Sequence, residues 1–237
     1  MKNQLNGVWI TGASSGIGKA AAKEFARTGS TVFVSSRRKN ELERLNNELK
    51  DEKLLVKIFP CNIASSSNVD QTAKKILTTH KIDCLINNAG ITSFKLAEEN
   101  SINEIDDIIR TNLLGPIYSI KSILPAMIKQ GGGTIINILS VVTKKIFTHS
   151  SAYSASKHGL IGYTNSLREE VRNQNIRIIN IIPGATQTAM WSTDIRKKHG
   201  ERMMTVEEVA QVIVWLYLQK GNLVTEEIVL RPILGDL

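Results

Sequence analysis

The stretch Thr11-Gly12-Ala13-Ser14-Ser15-Gly16-Ile17-Gly18 stands between a short β-like run, Val8 to Thr11, and a strong helix former, Lys19 to Ala26. Its spacing is GxxxGxG rather than GxGxxG. The physics of the two is the same. Small residues let the backbone pass close to a pyrophosphate, and a helix N-terminus offers free N–H groups carrying partial positive charge. A tight turn without a ligand is the competing reading, because glycines also serve turns.

Outward from this loop the pattern alternates. Gly29 closes the first helix and Thr31 to Ser35 reads as a second strand. Leu42, Leu45 and Leu49 recur at helical spacing, and Leu54 to Phe59 reads as a third strand. Val69 to Leu77 predicts a helix and Asp83 to Asn87 a fourth strand. A helical region with Ile102, Ile105, Ile108 and Ile109 precedes a longer buried helix, Leu113 to Ile128, which Gly131-Gly132-Gly133 breaks. Then come a strand at Thr134 to Ser140, a helix at Tyr153 to Arg172 and a strand at Ile176 to Ile182 that Pro183-Gly184 stops. Thr205 and Glu208 have capping-box spacing ahead of Val209, Ile213 and Leu216, and Glu227 to Leu230 is a last strand. Apolar strands separated by helices imply an α/β fold: a doubly wound parallel sheet of about seven strands covered on both faces. With no linker, repeat or low-complexity tract, residues 1–237 read as one domain.

Composition narrows the classes. The chain has 237 residues, 42% hydrophobic and 22% charged, enough for a sizeable core and unlike collagen, coiled coil or disorder. Lys and Arg number 30 against 22 Asp and Glu, a net charge of +8, which admits nucleic acid, a membrane surface or an anionic ligand. No recognised nucleic-acid module is present. Cys61 and Cys84 form neither a CxxC pair nor a disulfide framework, and Cys84 reads as a buried, reduced thiol. Met1-Lys2-Asn3-Gln4-Leu5 leads into no signal-peptide core, and no apolar run approaches the ~20 residues that span a bilayer. The expectation is a soluble, cytoplasmic protein with no nucleic-acid or membrane partner and no metal.

The end of the second strand selects the anion. NAD-binding folds usually carry Asp or Glu about 20 residues past the loop to accept from the ribose 2′-hydroxyl. Here the chain reads Ser35-Ser36-Arg37-Arg38-Lys39, with no carboxylate before Glu41. Three cations suit a 2′-phosphate, and arginine grips phosphate with a bidentate fork. The expected cofactor is therefore NADP(H) in preference to NAD(H).

Tyr153-Ser154-Ala155-Ser156-Lys157 sets a phenol and an ammonium at i and i+4 on one helix face. A neighbouring cation stabilises phenolate and lowers its pKa toward acid–base use. Ser140 ends the fifth strand and Asn87-Asn88-Ala89-Gly90 the fourth, at the strand ends where doubly wound sheets place ligands.

TGASSGIG at 11–18, NNAG at 87–90, Asn112 in RTNLLGP, Ser140, YSASK at 153–157 and PGATQT at 183–188 occur in that order across nearly the whole chain. Together they resemble the short-chain dehydrogenase/reductase family. The resemblance implies a Rossmann-type sheet in the order 3-2-1-4-5-6-7 and hydride transfer to or from a nicotinamide. It implies Tyr153 as general acid, Ser140 as the group bonding the reacting oxygen, and Lys157 as the cation lowering the Tyr153 pKa and bonding the nicotinamide ribose. It implies Asn112 as holder of a water in a proton relay. Gly12, Ser14, Ser15, Gly16, Ile17 and Gly18 resemble the pyrophosphate loop. Ser36, Arg37 and Arg38 match the 2′-phosphate end, Asn62 and Ile63 the adenine side, and Asn88, Ala89 and Gly90 the strand beside the cofactor. Pro183, Gly184, Thr186 and Thr188 resemble the nicotinamide side. Asn62 departs from the family's usual aspartate, and an altered adenine contact is expected.

The substrate end is read from Ser140, Val142, Phe147, Met190 and Trp191. The stretch Thr188 to Met204, with Met190, Trp191, Met203 and Met204, suits an apolar carbonyl pocket. The C-terminal half is similar to bacterial sepiapterin-reductase-like carbonyl reductases, which implies reduction of a ketone or dicarbonyl. The alternatives are a 3-oxoacyl-carrier-protein reductase and, from another class, a non-catalytic NADP(H)-binding regulator. The family implies a homodimer or homotetramer through the long helices. His149 and His158 read as packing or solvent residues, Lys144, Lys145, Arg196, Lys197 and Lys198 as solvated loop charges, and Trp9 and Trp215 as core.

Overall fold

The computed structural model describes residues 7–237. The reading of Met1 to Leu5 as lacking a leader lies outside the described residues. Seven strands form one all-parallel sheet: β1 (Gly7–Thr11), β2 (Thr31–Ser35), β3 (Val56–Ile58), β4 (Cys84–Asn87), β5 (Gly133–Ile138), β6 (Ile176–Pro183) and β7 (Glu227–Leu230). Their order is β3-β2-β1-β4-β5-β6-β7, as the family resemblance implies. The chain winds outward from β1 to one edge, returns, and winds from β4 to the other. A crevice therefore opens above the C-terminal ends of β1 and β4.

Alternation along β1 divides the core. Val8 and Ile10 face α1 (Gly16–Arg27), whose Phe25 is fully buried, α2 (Lys39–Asp51) with Leu42, Leu45 and Leu49, and α8 (Val206–Leu218) with Val209 and Ile213. Trp9 faces the other way, with Val69 and Ile76 of α3 (Ser66–Leu77), Ile120 and Ile123 of α5 (Gly115–Gln130), and Leu167 and Val171 of α6 (Ser151–Val171). Both faces are covered, which is why the strands read as unbroken apolar runs.

One polar line crosses this core. Ser119 Oγ donates to Asn87 Oδ1 (2.6 Å), Asn87 Nδ2 to Asn137 Oδ1 (2.9 Å), Asn137 Nδ2 to Asn180 Oδ1 (3.1 Å) and Asn180 Nδ2 to Thr164 Oγ1 (3.0 Å). Asn87, Asn137 and Asn180 are register partners on β4, β5 and β6, and all are buried. The line fixes the three strands against α5 and α6, at the last residue of β4, one residue before the end of β5 and three before the end of β6.

Several expectations are corrected. Trp215 is 55% exposed. Ile213, Leu216 and Tyr217 fill the inward face of α8, and position 215 falls on the opposite side. The helix expected from Leu113 starts at Gly115, after α4 (Ile102–Ile109) and a π-type turn at Arg110–Leu114. Pro116, with no N–H to give, fits a first turn. The fifth strand ends at Ile138, and Ser140 caps the short turn that follows. Between Thr188 and Met204 the chain forms α7 (Thr193–His199), which buries no residue and so left no apolar period to read. Lys144 and Lys145 are exposed loop charges, as read, and also pair with Glu227 (2.8 Å) and Asp236 (3.3 Å), linking the loop after β5 to the C-terminal segment.

Among the described residues no helix is long and apolar enough to cross a membrane. Cys84 is fully buried, and burial pushes its thiol pKa well up.

Candidate active site

A cleft of about 910 Å3 runs over the C-terminal strand ends. Its floor begins at the glycine loop. Gly12 (φ 68°) and Gly16 (φ 57°) hold left-handed backbone, and a Cβ on Gly12 would stand 2.6 Å from Ala89 Cα. Asn88 Nδ2 donates to the Thr11 and Gly12 carbonyls, both at 3.1 Å, joining the end of β4 to the loop. The N-terminus of α1 has neither a side-chain cap nor an acid in its first turn. Its positive end is thus left for an anion, which is the cradle a pyrophosphate needs.

Ser14, Ser15, Gly16, Ile17, Ser36, Arg37, Arg38, Asn62, Ile63, Ala89, Gly90, Pro183, Gly184, Thr186 and Thr188 all line the cleft. Gly18 does not. It lies beneath the loop, where a Cβ would stand 2.6 Å from the Gly12 carbonyl oxygen, so its smallness serves packing. Within the basic run the roles divide. Arg38 Nη2 donates to Ser14 Oγ (2.9 Å) and Ser15 Oγ (3.1 Å), bracing the loop. Lys39 pairs with Glu43. Arg37 is exposed, lines the cleft and has no side-chain partner among the described residues. Asn62 Oδ1 already accepts from Ala64 N–H at 3.2 Å. These residues fit a nucleotide with an anionic group beside Arg37.

At the other end Ser140, Tyr153 and Lys157 meet. Tyr153 and Lys157 are buried, and the Lys157 nitrogen lies 5.7 Å from the Tyr153 ring centre while donating to the Ile138 carbonyl at 2.8 Å. Burial pushes the Tyr153 phenol up to about 12, opposed by its hydrogen bond with Ser140, and pushes the Lys157 ammonium down to about 8. Burial is the largest influence on both groups, and the Lys157 nitrogen is turned to a backbone carbonyl.

Asn112 does not line the cleft. Fully buried, its Oδ1 accepts from Ile91 N–H (2.9 Å), and its Nδ2 donates to the Ile91 carbonyl (2.8 Å) and to Ser156 Oγ (3.2 Å). Its side chain braces the loop after β4.

Val142, Phe147, Met190 and Trp191 all face the cleft, but Met203 and Met204 do not. Short bonds from Met204 N–H to the Ala185 carbonyl (3.0 Å) and from Gln187 N–H to the Met204 carbonyl (2.9 Å) fold the base of that loop shut. Two further lining groups, Phe94 and Asp236, are absent from the sequence reading. Phe94 stacks on Trp191, ring centres 5.3 Å apart and planes 16° from parallel, across the cleft from the β4 side to the β6 side. Asp236, its side chain 7% exposed, is held through Oδ2 by Lys145 and Arg231 (3.2 Å), while its Oδ1 is buried without a partner. Phe94 lies only four residues past Gly90, a distance that could have flagged it. His149 is exposed at the rim with left-handed backbone (φ 60°), and His158 bonds within its own helix turn to Ser154. Among the described residues no cluster of three or more His, Cys, Asp or Glu could hold a metal ion.

The short chain dehydrogenase family profile matches residues 6–199. The chain belongs to the short-chain dehydrogenase/reductase family. This oxidoreductase is 35% identical to a sepiapterin reductase of Chlorobaculum tepidum, over 96% of each chain. It is 33% identical to a 3-oxoacyl-acyl-carrier-protein reductase of Thermotoga maritima, over 93% of each. A metagenomic short-chain oxidoreductase solved in complex with NADP superposes with a TM-score of 0.85 at 28% identity, covering 96% of both chains. A nicotinamide cofactor in the cleft follows from family and cradle together.

Proposed function

We propose that this short-chain dehydrogenase/reductase is an NADPH-dependent reductase of a ketone or dicarbonyl carried on a planar, conjugated ring, with a sepiapterin-like compound as the type substrate. The observation that carries the reading is the Phe94–Trp191 pair at the mouth of a cleft whose inner end holds Ser140, Tyr153 and Lys157. Parallel aromatic faces attract a flat π-system by offset stacking. The unpartnered Oδ1 of Asp236 adds an acceptor for an N–H edge of such a ring.

NADPH, when bound, supplies the hydride that reduces the carbonyl carbon. Ser140 bonds the carbonyl oxygen and holds it where charge develops. Tyr153, kept protonated by burial, gives that oxygen its proton, and the resulting phenolate is stabilised by the Lys157 ammonium before solvent returns a proton. Gly12, Gly16 and the α1 N-terminus hold the pyrophosphate, Arg37 holds the 2′-phosphate, and Thr188, which packs against Gly16, sits on the nicotinamide side. The same reading takes residues 1–237 as one cytoplasmic domain that assembles as a homodimer or homotetramer through α5 and α6.

The test is NADPH oxidation with sepiapterin, 1-phenyl-1,2-propanedione, diacetyl and an acetoacetyl thioester, in the wild type and in Phe94→Ala. The two ring-bearing compounds are expected to be preferred, and Phe94→Ala to raise their KM about tenfold, in keeping with the ~0.5–1.5 kcal/mol of a stacked aromatic contact. Preference for the thioester would reverse the reading.

A further inference from the structure

Ser156 lies fully buried in the second turn of α6, and the family motif assigns it nothing. Its hydroxyl donates to the Tyr153 carbonyl at 2.6 Å and accepts from Asn112 Nδ2 at 3.2 Å. Asn112 turns its remaining bonds to one residue, taking the Ile91 N–H and giving to the Ile91 carbonyl. Ile91 lines the cleft three residues before Phe94. A continuous chain of bonds therefore runs from the wall that carries Phe94, through Asn112 and Ser156, to the backbone of Tyr153.

The polarity of this chain has one solution. If the Asn112 amide turned over, its NH2 would face the Ile91 N–H, donor against donor. With Oδ1 fixed on Ile91 N–H, the two Nδ2 hydrogens need two acceptors, and Ile91 supplies only one. The second must be Ser156 Oγ, whose single hydrogen is committed to Tyr153. Alanine at 156 would leave an amide hydrogen of Asn112 buried and unpaired, at the full desolvation penalty of that group. The Asn112 amide would keep its two bonds to Ile91 but lose its tie to α6, so the Ile91 loop would no longer be anchored to the helix that carries Tyr153.

We propose that Ser156 is a positioning residue for carbonyl reduction, acting through Asn112 on the Ile91–Phe94 wall and through its own hydrogen bond on Tyr153. It touches neither substrate nor cofactor. Its hydroxyl sets the distance between the group that delivers the proton and the wall against which the substrate lies. Misplacement of about 1 Å near the chemistry costs on the order of 100-fold in rate. The proposal rests on the reduction reading above.

The experiment compares Ser156→Ala, Ser156→Cys and Ser156→Thr with the wild type and Tyr153→Phe, using NADPH and 1-phenyl-1,2-propanedione. Ser156→Ala should lower kcat tenfold or more with NADPH affinity unchanged within twofold, because the glycine loop and Arg37 lie at the other end of the cleft. Threonine, which keeps the hydroxyl, should restore kcat to within about threefold; cysteine, a weak donor of similar size, should restore less. Hydrogen exchange at the Ile91 amide reads the brace without any substrate and should quicken at least tenfold in Ser156→Ala. Unchanged exchange at Ile91, a kcat within twofold of wild type in Ser156→Ala, or equal losses in all three variants that follow their thermal midpoints would each overturn the proposal. No turnover of the dione by the wild type would instead sink the reduction reading, and full turnover in Tyr153→Phe would sink the proton-delivering role of Tyr153 and the catalytic purpose of Ser156 with it, while Ile91 exchange still decides the brace.

Discussion

The Lys157 ammonium lies 5.7 Å from the centre of the Tyr153 ring, yet its hydrogen bond goes to the Ile138 carbonyl. Lysine and tyrosine thus share a dry site in which burial pushes the ammonium down to about 8 and the phenol up to about 12. Below pH 8 the site holds a cation and a neutral acid together, the combination that carbonyl reduction needs. Above pH 8 the cation is lost first. We expect kcat/KM for reduction to be level below pH 8 and to fall above it as one proton leaves. Lys157→Met should be slow throughout and lack that limb. Rates measured from pH 6 to 10 check this, and a wild-type profile level to pH 10 would separate Lys157 from the chemistry.

The same shifts enter stability with opposite signs. An unfolded lysine keeps its proton to about pH 10.4, so between pH 8 and that value the unfolded state binds more protons and stability rises with pH. Tyr153, raised on folding, contributes stability that is present below pH 10 and lost as pH climbs through about 12. Urea midpoints at pH 7 and 9 should therefore rise more in the wild type than in Lys157→Met, where the lysine contribution is gone.

Tyr153→Phe should reduce turnover by roughly 100- to 10,000-fold, the usual worth of a placed general acid. NADPH affinity should stay within twofold, because the ring keeps its packing. Single-turnover kinetics and cofactor fluorescence separate the two quantities. Substantial turnover in the variant would remove the phenol from the reaction.

Much of this was legible because it depends on local pattern. Strands β2 and β7 and the Thr205–Glu208 capping box follow from short-range chemistry, and the structure reproduces them. The glycine loop announced itself because left-handed backbone at Gly12 and Gly16 demands glycine. What stayed hidden depends on tertiary meeting. Asp236 reaches the cleft only because Lys145 and Arg231 draw the C-terminal segment across it, and no periodicity in that segment encodes this. Phe94 and Trp191 are 97 positions apart in the chain, and only the side-by-side order β4-β5-β6 of the parallel sheet brings the loops after β4 and β6 face to face. Trp215 misled for the converse reason. Its size suggested core, whereas its angular position on α8 points it to solvent.

Arg37 and Arg38, adjacent in sequence, are expected to behave differently. Arg38 is committed to Ser14 and Ser15, while Arg37 is free at the cleft edge. Arg37→Ala should weaken NADPH binding about tenfold or more, since a hydrogen bond to a charged group contributes about 1.5–3 kcal/mol, and leave NADH binding almost unchanged. Arg38→Ala should weaken both cofactors, because it loosens the loop that holds the pyrophosphate they share. Fluorescence titration of four protein–cofactor pairs distinguishes these outcomes. Equal losses of NADPH and NADH in Arg37→Ala would show that no phosphate contact is made there.

Asn137 sits mid-way along the buried amide line, accepting from Asn87 and donating to Asn180. Asn137→Ala removes two hydrogen bonds and leaves a donor on Asn87 and an acceptor on Asn180 unpaired where no water reaches. At about 1–3 kcal/mol for each stranded group, a loss of roughly 2–6 kcal/mol is expected. Asn137→Asp keeps the acceptor for Asn87 but sets a buried carboxyl oxygen against Asn180 Oδ1, so it should be tolerated only when protonated, with stability improving as pH falls. Urea unfolding of both variants at pH 5 and 8 reads this directly. Because Asn87 and Asn137 directly precede Asn88 and Ile138, the surviving folded fraction should also show a lower kcat. A variant that lost stability with kcat unchanged would confine the amide line to holding the sheet.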